Sequence, residues 1–105
     1  MEMLRAQIKG HALMISIKEA KVHLLNVKKI DSELKSILGK PENNHNEIIL
    51  DLSSVSEIDS SGFALLVRAH LDASRKNKKF VLEKMNPLIM DALVNAKLLK
   101  DFNIR

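Results

Sequence analysis

Apolar and polar positions alternate twice near the start of the chain. Leu4, Ala6 and Ile8, then Leu13, Ile15 and Ile17, recur at every second position, the period of half-buried strands. Lys9-Gly10-His11 between them is short and contains glycine, which predicts a hairpin. From Val27 the period changes. Val27, Ile30, Leu34, Ile37 and Leu38 recur at helical spacing, with Lys28, Lys29, Asp31, Glu33 and Lys35 on the opposite face. Asn26 stands at the N-cap position of this helix, and Gly39 followed by Pro41 stops it.

After a polar loop over 40–47, the run Ile48–Leu52 has the continuous apolar character of a strand buried on both faces, as in a parallel sheet. Phe63, Leu66, Val67 and Leu71 outline a second helix that fades near Ser74, and Phe80-Val81-Leu82 is another short buried strand. Asn86 as cap and Pro87 at the first position open a last helix, with Leu88, Ile89, Ala92, Leu93, Ala96 and Leu99 as its apolar stripe. Phe102 and Ile104 supply a final edge strand. The order β-β-α-β-α-β-α-β predicts an α/β layered domain in which helices cover a mixed sheet.

Composition narrows the picture. A chain of 105 residues holds one modest core and is read as one domain over 1–105. No apolar run approaches the roughly 20 residues of a membrane span, and charged residues interrupt the N-terminal apolar stretch, which does not read as a signal peptide. The absence of Cys removes disulfides and thiolate chemistry and fits a reducing compartment, so a cytoplasmic location is expected. The net charge of +4 raises the question of nucleic acid. The one dense basic patch, Arg75-Lys76-Asn77-Lys78-Lys79, carries no recognised motif, and Trp and Tyr are absent, so a solvated loop is expected and no nucleic acid partner.

The segment Ile48–His70 carries the candidate chemistry. A strand leads through a polar turn to Asp59-Ser60-Ser61-Gly62, and a helix starts at once. This order places small hydroxyl side chains at a helix N-terminus, where free N–H groups and the positive end of the dipole favour anionic or oxygen-rich groups. A phosphate suits the place, either in a bound ligand or attached to Ser60 or Ser61. The structural alternative is capping, since one of Asp59, Ser60 or Ser61 must satisfy the first free N–H groups. Gly62 serves either a close approach of a partner or neighbouring strand, or merely as a small residue in the first turn. Phe63 is expected more in the core than in a contact.

Nothing around this turn points to catalysis. Asp51 and Asp59 sit at opposite ends of a polar loop with no histidine or nucleophile pattern between them. His11, His23, His45 and His70 lack ligand spacing, the Met residues are dispersed, and no Gly-rich phosphate loop exists. No cofactor, no metal and no enzymatic activity are expected.

The pattern IILDLSSVSEIDSSGFALL, preceded by a hairpin and helix and followed by a strand and the Asn86-Pro87 helix with ALVNAKLLKDF, resembles a STAS domain over nearly the whole chain. This is the fold of bacterial anti-sigma-factor antagonists, found also in stressosome proteins and sulfate-transporter tails. The resemblance implies a single α/β domain with a mixed, mostly parallel sheet and helices packed on it. It implies phosphorylation of the serine after the turn aspartate, here Ser60 after Asp59, by a partner that is both anti-sigma factor and serine kinase. The unphosphorylated form would bind that partner through Asp59, Ser60, Ser61, Gly62 and Phe63 and so free the sigma factor, in partner switching that regulates transcription; a serine phosphatase would reset it. It further implies a monomer or weak dimer without membrane insertion. Many family members carry a Gly-Glu-Leu-Asp-like turn before the first helix. Here Lys18-Glu19-Ala20-Lys21-Val22 occupies that region, with the acid moved and lysine introduced, and the chain ends at Arg105 near where family members add a last helix. The competing readings are an unphosphorylated adaptor STAS subunit of a transport or signalling complex, and a small-ligand sensor at the Ser60 helix end.

Overall fold

The structure, a computed structural model, describes residues 2–105. Two strands, β1 (Leu4–Lys9) and β2 (Ala12–Ile17), form the predicted hairpin, paired antiparallel from Leu4 with Ile17 to Lys9 with Ala12. Gly10 at its tip has φ +63, the left-handed conformation that glycine adopts without steric cost. A short strand β3 (Lys21–Val22) precedes helix α1 (Val27–Leu38). Strand β4 (Glu47–Asp51), a second short strand β5 (Glu57–Ile58) and helix α2 (Ser60–Arg75) follow, and then β6 (Lys79–Glu83), α3 (Pro87–Asn95) and β7 (Asn103–Ile104).

The main sheet has the order β1-β2-β4-β6-β7, parallel throughout except for β1. Leu13, Ile15 and Ile17, Ile48 and Leu50, and Phe80 and Leu82 share one face and join the buried stripes of all three helices in one core. Ile30 and Leu34 come from α1, Leu65, Leu66, Ala69 and Ala73 from α2, and Ile89 and Leu93 from α3. The helices therefore cover one face of the sheet only.

The opposite face is nevertheless closed at its centre. Ala12, Met14, Ile49 and Val81 form a small separate buried cluster there. Lys9 Nζ lies 3.6 Å from a Glu83 carboxylate oxygen, although β2 and β4 separate their strands. The Lys9 stem thus crosses the open face and covers apolar surface while its charge is neutralised at the far side. Ile48–Leu52 is buried on both faces as expected, with a side-chain layer in place of helices on one of them.

Several expectations are corrected. Ala6 and Ile8 belong to β1 but are exposed, Ile8 by 67 %: β1 is the edge strand of the sheet, and a groove lined by Ala6 and Ile37 parts it from α1. Asn26 does not cap α1. Its side-chain oxygen accepts from the His23 amide and its side-chain nitrogen donates to the Lys21 carbonyl, stapling the turn in front of the helix. Leu71 and Leu88 lie on helices but face solvent, and Ala96 falls beyond the end of α3 and is exposed. Asn86 does cap α3, accepting from the Ile89 amide at 2.9 Å. Phe102 is buried in the main core, ahead of the two-residue β7.

Candidate functional site

The parallel strands β2, β4 and β6 all end at one pole, and the Asp59–Phe63 turn lies there. It is anchored by β3 and β5, a two-residue parallel pair joining Lys21 to Glu57 and Val22 to Ile58. Ser56 and Glu57 amides both donate to the Ala20 carbonyl, and the Asp59 amide donates to Val22. The Lys18–Val22 segment therefore runs directly beside the serine turn.

Asp59 is the N-cap of α2, in extended backbone with φ −94 and ψ −175. One carboxylate oxygen accepts from the Gly62 amide at 3.0 Å and from the Ser61 hydroxyl at 2.6 Å. The other accepts from the Leu24 amide at 3.0 Å, in the turn before α1. The Ser61 hydroxyl, then the Gly62 amide, hold the Asp59 carboxyl below its ordinary value, so it is ionised at neutral pH. Capping and hydroxyl display are thus divided between neighbours. Asp59 caps, Ser61 is committed to Asp59, and Ser60 is exposed, with no hydrogen-bond partner for its hydroxyl among the described residues.

Gly62 is buried rather than displayed. A Cβ there would lie 2.5 Å from Ile58 Cγ2 and 2.8 Å from the Val22 carbonyl oxygen. Of the two roles open to it, the close approach of a neighbouring strand is the one observed. Phe63 is half-buried and packs against the main core. Ser61 also lines a groove of about 300 Å³ between α1 and α2, beside Lys28 and the ion pair of Arg68 with Asp31.

Asp51 ends β4 at the same pole on the open sheet face. Burial alone would raise its carboxyl, but hydrogen bonds from the Ser53 amide, the Ser53 hydroxyl and the Ser16 hydroxyl, with Lys84 nearby, bring it below the ordinary value. The Ser53 amide at 2.9 Å and the Ser16 hydroxyl at 3.2 Å tie the Asp51 carboxylate to the end of its strand. Among the described residues no group of three or more His, Cys, Asp or Glu could hold a metal ion, and no helix is long and apolar enough to cross a membrane.

One part of the pole escaped the sequence reading. Leu24 and Leu25 are 75 % and 87 % exposed, and Leu88, at the start of α3, is 73 % exposed. Asn86 donates to the Val55 and Ser56 carbonyls, which holds the start of α3 beside β5. Large apolar side chains thus flank Ser60 from two directions. The Leu24-Leu25 doublet in an otherwise polar turn was the available signal.

The STAS domain family model matches residues 3–105. No curated protein matches the chain. Among solved structures, a candidate anti-sigma factor antagonist from Thermotoga maritima is similar with a TM-score of 0.81 at 22 % identity, over 97 % of this chain and 85 % of that one. An anti-sigma factor antagonist from Mycobacterium paratuberculosis gives 0.80 at 13 % identity, over 96 % and 82 %. A sulfate transporter family protein from Wolinella succinogenes gives 0.74 at 15 % identity, over 92 % and 75 %. At these identities the likeness is one of fold, whereas the family match spans almost the whole sequence: the chain belongs to the STAS domain family.

Proposed function

We propose that this protein is an anti-sigma-factor antagonist that docks, unphosphorylated, on a partner acting as both anti-sigma factor and serine kinase, and is released when Ser60 is phosphorylated. The observation that carries this reading is the contrast between two adjacent hydroxyls. Ser61 is bound to the capping carboxylate, and Ser60 is exposed and unbound at the first position of α2. A kinase needs a hydroxyl that can reach its γ-phosphate without dismantling a cap, and Ser60 meets that requirement.

The surroundings suit a docking surface. Leu24, Leu25 and Leu88 offer apolar area that a partner would bury, which supports recognition of a protein surface in preference to a small ligand. A phosphate adds a charge of about −1.5 to −2 next to the ionised Asp59. The helix dipole tolerates it, and no existing hydrogen bond of Ser60 is lost, so the fold survives. The charge acts on the partner instead, by placing a hydrated dianion beside Asp59 in a contact whose flanks, Leu24, Leu25 and Leu88, are apolar. In this reading the chain is substrate and binding module, with a separate phosphatase to reverse the modification and no catalysis of its own.

The test is incubation with ATP and the candidate kinases of the same genome, followed by mass-spectrometric mapping. Phosphate on Ser60, abolished in Ser60→Ala and retained in Ser61→Ala, is the expected result. No phosphate on Ser60 with any of these kinases would favour the unphosphorylated adaptor.

A further inference from the structure

The parallel strands β2, β4 and β6 start in register at Ala12, Glu47 and Lys79 and run towards the Ser60 pole. Helices α1 and α2 return to the starting pole and end there, at Leu38 and Arg75. At this second pole Lys40, Lys76 and Lys78 line one groove of about 430 Å³ that has no acidic lining residue, and Lys79 follows directly. None of these four lysines pairs with a carboxylate among the described residues. Some cations elsewhere are matched, as in Lys21 with Glu57 and Lys35 with Asp31, and beside the groove Arg75 pairs with Asp72.

Helix dipoles explain part of the arrangement. Lys40 and Lys76 sit just beyond the C-terminal ends of α1 and α2, where a cation is favourable. Lys78 and Lys79 lead into β6 and have no such role. Crowded like charges without counter-charge repel one another, and an anionic partner relieves that repulsion. A second groove, of about 480 Å³, shares Asn44 with the first and reaches the hairpin tip; its cations Lys9 and Arg105 are paired with Glu83 and Glu47 and add no free charge. Exposed Ile8 lies next to that tip.

We propose that this basic pole docks the protein on an anionic phospholipid surface. The chain has no Tyr or Trp. Phe80 and Phe102 are buried, and Phe63 lies at the other pole, so no Phe is presented here for a nucleobase to stack on. Lysines are point charges on long flexible stems, suited to a fluid array of phosphates, and Ile8 is placed to enter the headgroup boundary beside them. Docked this way, the protein directs Ser60 away from the lipid. The inference is independent of whether Ser60 is phosphorylated.

The test is co-sedimentation of the full chain with vesicles of phosphatidylcholine alone and of phosphatidylcholine mixed with phosphatidylglycerol. Binding to the mixed vesicles only, weakening steeply with added NaCl, is expected. Each lysine near the surface contributes about a fivefold gain. The triple variant Lys76→Gln, Lys78→Gln, Lys79→Gln should therefore bind on the order of 100-fold more weakly. Its circular dichroism and melting temperature should match the parent. Lys21→Gln with Lys28→Gln, at the Ser60 pole, should bind vesicles as the parent does. Three results would overturn the proposal: no preference for the anionic vesicles, equal loss in the Lys21 and Lys28 variant, or displacement from vesicles by duplex DNA or RNA at equal phosphate concentration.

Discussion

The carboxylate of Asp59 holds the amide of Leu24 at 3.0 Å, across 35 positions of sequence. The same carboxylate caps α2, so one side chain couples the serine turn to the exposed Leu24-Leu25 turn. Asp59→Ala should loosen both at once. Amide hydrogen exchange at Leu24 and Gly62 should accelerate together, while the Ile89 amide, capped by Asn86, should keep its protection. Acceleration at Gly62 alone would show that the link to Leu24 carries no weight in solution.

Asp59 and Asp51 also set an acid limit. Their carboxyls titrate below the ordinary value in the folded protein, so the unfolded chain binds their protons first as pH falls. Their stabilisation is complete above the unfolded carboxylate value, near pH 4, and is lost as pH drops through the depressed folded values. Melting temperature should therefore fall on acidification below about pH 4, and less steeply in Asp59→Asn. NMR titration should place both carboxyl midpoints below those of unpaired aspartates.

Ser60→Asp should keep the circular-dichroism spectrum and melt close to the parent, since the exposed Ser60 hydroxyl has no hydrogen-bond partner among the described residues. Its affinity for the kinase partner should drop at least about tenfold, equivalent to about 1.4 kcal/mol. A variant that unfolds, or that binds as tightly as the parent, would contradict a switch acting through surface charge.

Gly62→Ala tests the packing of α2 on β3. Helix propensity alone favours Ala by up to about 1 kcal/mol, but the added methyl meets Ile58 Cγ2 at 2.5 Å and the Val22 carbonyl at 2.8 Å. Overpacking against backbone should win, with a net loss of about 1–3 kcal/mol in urea unfolding. An unchanged or stabilised variant would mean that β3 yields freely.

Leu24→Ser with Leu25→Ser should leave stability within about 0.5 kcal/mol per site, because both side chains are solvent-exposed. Partner binding, measured by calorimetry, should nevertheless weaken by more than about tenfold if these residues are buried on docking. Loss of stability without loss of affinity would assign them to the fold.

Much of this protein was legible in local pattern. Period-two and period-3.6 spacing located the main strands and helices, Asn86-Pro87 marked the start of α3, and the family resemblance implied the sheet that joins them. These features depend on residues a few positions apart, and so on backbone geometry that each segment carries with it. The site was legible only as a set of candidates. Whether Asp59, Ser60 or Ser61 caps α2 turns on side-chain geometry, and the structure gives the cap to Asp59 and leaves Ser60 free. The burial of Gly62 depends on Val22, and the closure of the open sheet face on the pairing of Lys9 with Glu83 across two intervening strands. Each is a contact between residues distant in sequence. Periodicity cannot report such contacts, because they exist only once the elements have packed.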